Sequence, residues 1–151
     1  MRERAGPEQT DIRWHQRFEN LQRALAQLRA AIAAHQAMPE NDLMVIALIK
    51  AYEFSFELSW KTLKDLLAWN GIDARLPREV LKQAFAAGLL EKWQIWIDML
   101  EQRNLMAHTY DQARAMKAAT LISNAFWPEL AALELSLASR RAQQPSEEQA
   151  P

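Results

Sequence analysis

The chain reads as an all-α protein: an antiparallel four-helix bundle with one additional short helix. Three observations lead to that class. No segment alternates apolar and polar residues with the period of two that a half-buried strand requires. Apolar residues instead recur at steps of three and four along long stretches, the spacing that lines one face of a helix. Glycine is confined to Gly6, Gly71 and Gly88, so few turns interrupt those stretches.

The first helix is predicted over Asp11 to Gln36, where Trp14, Phe18, Leu21, Leu25, Leu28 and Ile32 form a lengthwise seam. "MPEND" breaks it, and Asn41 or Asp42 supplies a side-chain cap for the second helix. That helix carries Val45, Ile49, Tyr52, Phe56, Trp60, Leu63 and Leu67 on one stripe, widened by Ala51, Phe54 and Leu58, and should be the most buried. Asn70-Gly71 ends it, with Gly71 suited to the left-handed position after a helix. "LPREVLKQAFAAG" is a short helix opened by Pro77 and closed by Gly88. A fourth helix, from about Glu91 to Ala107, presents Trp93, Ile97 and Leu100. Asp111 caps a fifth, with Met116, Ala119, Phe126, Leu130, Leu133 and Leu137 facing inward, and Pro128 should kink it.

The 151 residues suffice for one domain, expected over residues 11–139, with polar tails at 1–10 and 140–151 read as frayed. Eighteen basic against nineteen acidic side chains provide no global positive field, so any contact with nucleic acid must come from a local cluster. The absence of cysteine removes disulfides, thiolate catalysis and Cys-ligated metals, and a reducing compartment, the cytoplasm, is the expected location. "LMVIALI" is the longest apolar run and far too short to cross a bilayer, so no membrane association is expected. No glycine-rich phosphate loop and no metal-ligand spacing are present, and no cofactor is expected.

The chemistry-bearing stretch is "EQRNLMAHTYDQA", residues 101 to 113. Arg103 and His108 would lie ~140° apart on a straight helix, so they converge only if the helix ends between them or if two copies meet across a dimer axis. A histidine titrates near working pH and can take the proton of a ribose 2′-hydroxyl. An arginine can grip phosphate oxygens and stabilise charge in the transition state, and the Asn104 amide can orient either partner. The set therefore suits metal-independent cleavage of RNA. The same two residues would also complement the dipole at a helix C-terminus, a purely structural role.

The segments "AYEFSFELSWKTLKDLL", "PREVLKQAFAAGLL" and "WIDMLEQRNLMAHTYD", in that order, resemble the HEPN superfamily. The closer resemblance is to its nucleotidyltransferase substrate-binding branch, HepT-like toxins paired with a minimal nucleotidyltransferase, and it spans roughly residues 12 to 135. "RNLMAHTY" matches the extended motif R-x4-H-x-Y without departure. The resemblance implies that Arg103 and His108 are catalytic, and that Tyr110 is the tyrosine which the cognate antitoxin nucleotidyltransferase modifies with AMP. It implies a toxin that cleaves RNA; the alternative is a non-catalytic subunit that binds substrate for the nucleotidyltransferase. A homodimer is expected, because a two-fold axis would bring two motifs into one cleft.

Other residues have two readings. Glu57 and Lys61 have the spacing of a helix-stabilising pair, but Glu57 on a central helix could instead hold Arg103. Asp98 and Glu101 are surface acids or steer Arg103. Trp93, Trp96 and Trp127 pack the core or an interface, or stack on bases. His15 and His35 are read as ordinary surface residues.

Overall fold

The computed structural model describes residues 7–106 and 111–144. They form six α-helices: α1 (Pro7–Ala37), α2 (Asp42–Trp69), α3 (Pro77–Ala86), α4 (Trp93–Met106), α5 (Gln112–Leu121) and α6 (Trp127–Gln143). A π-helical turn, Ile122–Phe126, joins α5 to α6 with helical backbone on both sides, so the three run on as one helix. No strand occurs among the described residues. The architecture is the helical bundle with a short extra helix, α3.

The seam of α1 is buried along its whole length, from Trp14 to Ile32. Its opposite is α2, which also touches α3, α4 and α5 and so occupies the centre. Arg17 reaches across from α1 to the buried Asp65 carboxylate at 2.7 Å, a charge-assisted bond that fixes the register of the two long helices. The Asn41 side chain accepts from the Leu43 N–H at 2.9 Å and starts α2.

Both punctuation glycines take positive φ, 81° at Gly71 and 78° at Gly88. Each sits in the same hydrogen-bond pair. Ile72 N–H donates to Leu67 and Gly71 N–H to Ala68; Leu89 N–H donates to Ala84 and Gly88 N–H to Phe85. That double closure satisfies carbonyls left over at a helix end and requires the left-handed residue between.

Several expectations are corrected. Helix α1 begins at Pro7, inside the stretch read as tail, and α6 continues to Gln143. Phe54 is 58% exposed, because it lies 200° round the helix from Tyr52 and its inclusion rested on hydrophobicity alone. Met116 is 39% exposed; the small Ala115, Ala118 and Ala119 face inward instead. On α4 the deepest residues are Trp96 and Met99, beside Ile97 and Leu100. Trp93 and Trp127 pack against the edge of the core.

Near Pro128 the helix does not break. Ile122, Phe126 and Leu130 are all buried at successive steps of four, which would drift ~80° round a straight α-helix. The wider π turn absorbs that drift, and Pro128 lies in the first turn beyond it, where a missing N–H is tolerated.

Candidate functional site

The last turn of α4 and the middle of α2 build the site. Arg103 donates from Nε to Glu57 Oε1 at 2.6 Å, and its Nη2 lies 2.5 Å from the same oxygen. Its Nη1 donates to Asn104 Oδ1 at 3.0 Å. The other Glu57 oxygen accepts from the Trp60 indole N–H at 2.9 Å. One carboxylate thus anchors both a guanidinium and an indole. The side chains of Arg103 and Glu57 are about one-third exposed, at 31% and 29%. A guanidinium has five N–H groups, so each terminal nitrogen keeps one that points away from these partners. The arrangement offers a held, solvent-facing cation to an anion such as a phosphate.

The backbone beneath Arg103 is pinned as well. The Tyr52 hydroxyl, wholly buried, donates to the Met99 carbonyl at 2.7 Å, one helical turn before Arg103. The Tyr52 ring stacks on Phe126 of the π turn, with centroids 5.6 Å apart. Burial is the main reason the Tyr52 hydroxyl is held well above its ordinary value of 10.0; the Glu53 charge adds to this and the Arg103 charge opposes it. Tyr52 is therefore a neutral donor throughout the physiological range. Helix α2 grips the end of α4 twice, at the backbone through Tyr52 and at the side chain through Glu57.

Of the residues singled out in the sequence, the structure brings Arg103, Asn104 and Glu57 together. Asp98 is elsewhere on α4: it accepts from Gln94 at 2.9 Å and does not reach Arg103. The five-residue separation of Asp98 and Arg103 turns them ~140° apart, whereas Glu57 approaches from the neighbouring helix. Lys61 makes no pair with Glu57 and lies over the Trp60 ring, 5.8 Å from its centroid. His15 bonds to Gln144 at 3.1 Å and packs its ring edge on Trp14. His108 and Tyr110 lie outside the described residues.

Trp60 and Tyr52 were legible only as core residues. For Trp60 a signal existed: it stands three positions after Glu57, within reach on one helix face. For Tyr52 there was none, since its acceptor is a main-chain carbonyl 47 positions away.

Residues 16–139 match the family described as nucleotidyltransferase substrate binding protein like. Over 81 residues the chain is 32% identical to a protein of Haemophilus influenzae named "Probable ribonuclease HepT". That match covers 50% of this chain and 56% of the relative, so the chain spans about half the length of the curated protein it matches. The all-helical fold and the family match over most of the chain converge: the protein belongs to the HepT-like, nucleotidyltransferase substrate-binding family of the HEPN superfamily.

Proposed function

We propose that this chain is a HEPN-type toxin, a metal-independent endoribonuclease silenced by a cognate minimal nucleotidyltransferase that transfers AMP to Tyr110. The observation that carries the reading is the Arg103 guanidinium, held by Glu57 and Asn104 yet open on its outer edge, at the head of an intact R-x4-H-x-Y motif. The name of the Haemophilus relative supports the same chemistry.

In this reading His108 removes the proton from a ribose 2′-hydroxyl, and the oxygen attacks the adjacent phosphorus. The bond to the 5′-oxygen breaks, that oxygen takes up a proton, and a 2′,3′-cyclic phosphate remains. Arg103 stabilises the charge on the phosphoryl oxygens, worth on the order of 3 kcal/mol for one well-placed donor. Adding AMP to Tyr110, seven residues after Arg103 in the same motif, adds bulk and negative charge that would compete with the RNA phosphate. The active form is a homodimer, in which a two-fold axis brings two motifs to one cleft.

The test is growth and RNA cleavage with and without the partner. Arg103→Ala and His108→Ala should each abolish cleavage and toxicity while remaining folded by circular dichroism, and chelators should not inhibit. With an active partner and ATP, intact mass should rise by one or more AMP units on Tyr110. Tyr110→Phe should stay toxic beside that partner. Light scattering should give twice the chain mass. Activity that requires an added divalent metal would refute the mechanism.

The family description favours a second reading, a subunit that binds substrate for the nucleotidyltransferase. It requires that the wild-type chain expressed alone neither arrests growth nor cleaves RNA.

A further inference from the structure

Beside the Arg103 arrangement lies a cavity of about 380 Å3 between α2, α4 and the start of α5. Its floor is apolar and closed: Ile49, Ala115 and Ala118 are buried there, with Met106 at one side. Its mouth is open, framed by Ile46 and Leu105, which are 38% and 58% exposed. Lys50, Arg114 and Lys117 stand on the rim. The volume falls at the lower end of the range for small-molecule sites, above about 300 Å3.

We infer that this cavity receives one base of the single-stranded RNA substrate, from a nucleotide next to the scissile phosphate. The inference rests on the ribonuclease reading and adds the substrate contact that reading lacks. Three features converge on it. The cavity neighbours the arginine site along both helices, although Arg103, Asn104 and Glu57 do not line it: Gln102, on its wall, precedes Arg103, and Glu53 stands one turn of α2, about 6 Å, before Glu57. Its charge suits a nucleotide, because an apolar slot takes the flat base while cations at the rim meet the flanking phosphates. Lys50 and Arg114 are tethered to Glu53 and Asp111 at 3.3 and 3.9 Å, and Lys117 projects from the α5 surface. The wall also offers an edge-reading group. The Gln102 amide has both donor and acceptor, and no bond to it is made among the described residues. Splayed single-stranded bases are recognised in this manner, by burial of the ring and hydrogen bonds to its edge.

The consequence is a base preference at one position beside the cut, set by the side chains of α2, α4 and α5 that line the cavity and not by the catalytic pair Arg103 and His108. Ile46→Trp would obstruct the mouth from an exposed position, so the fold should be unaffected. Two measurements serve: titration of each of the four ribonucleoside 5′-monophosphates into the full chain by saturation-transfer NMR, and sequencing of cleavage ends from a randomised single-stranded RNA. At least one monophosphate should bind the wild type and bind Ile46→Trp about tenfold more weakly, a loss of about 1.4 kcal/mol. The wild-type preference beside the cut should flatten in Ile46→Trp and weaken in Gln102→Ala. Equal affinities and equal preferences in wild type and Ile46→Trp would overturn the inference. So would a dimer that Ile46→Trp splits without changing monophosphate binding, since the cavity would then be an interface between copies. If Arg103→Ala cuts RNA as well as wild type, the ribonuclease mechanism fails while the titration still decides the cavity. If the wild type binds a monophosphate through this mouth but cuts nothing, the nucleotide site stands and the nuclease reading alone is lost.

Discussion

Replacing Tyr52 by phenylalanine removes one oxygen and nothing else, so its effect can be worked through. At neutral pH the variant loses the bond to the Met99 carbonyl, worth about 1 kcal/mol net. For a domain of this size that lowers Tm by about 2–4 °C. The alkaline behaviour is more telling. In the folded protein burial keeps the hydroxyl protonated well above 10.0, while in the unfolded chain it ionises at about that value. Between those two values the unfolded state has released a proton that the folded state retains, so stability falls as pH rises above 10. At pH 11 the wild type has given up stability that Tyr52→Phe keeps. The neutral-pH advantage of the wild type should therefore shrink as pH rises above 10. Urea denaturation at fixed steps from pH 8 to pH 11 measures the gap directly. A gap that stays constant to pH 11 would mean that Tyr52 ionises as readily folded as unfolded, and the pinning role of its neutral hydroxyl would fall.

Glu57→Gln should cost little stability, under ~1 kcal/mol for a partly exposed pair, yet reduce RNA cleavage about a hundredfold by freeing the Arg103 head; thermal melts and initial rates check the two effects separately. Gly71→Ala should destabilise by about 1–2 kcal/mol from backbone conformation alone, because a Cβ there meets nothing within 4 Å, and Gly71→Asn should recover part of the loss in the same melts. Asn41→Ala removes the cap of the central helix and should cost about 1 kcal/mol, read from the urea midpoint.

The bundle was legible because its signals are local. The α1 seam, the Asn41 and Asp111 caps and the two helix-ending glycines each act within a few residues, and all occur as expected. The errors came from reading size as depth. Phe54 and Met116 are large and apolar, but their angular positions face away from neighbouring helices. The alanines beside Met116 face inward because small side chains let α5 approach α2 closely. The π turn was invisible for another reason: a repeat of four can be met by drift, by a kink or by a wider turn, and only packing decides among them. At the site, Glu57 was foreseeable as a candidate partner for Arg103 because an acid on a central helix needs a counter-charge, with Lys61 as the competing cation. For Asp98 the surface reading fits its bond to Gln94, and the steering reading fails because five residues along a helix turn the two side chains apart.

The division of the Glu57 carboxylate between Arg103 and Trp60 gives the site a spectroscopic handle. The chain has six tryptophans, and each indole N–H contributes its own signal in a proton–nitrogen correlation spectrum. The resonance of Trp60 reports on an acceptor that also holds the guanidinium. An anion that draws Arg103 outward leaves Glu57 with a single donor, which strengthens and shortens the indole bond and moves that one peak downfield. Phosphate arrival at Arg103 thus becomes visible at a buried ring, without a label at the surface and without turnover.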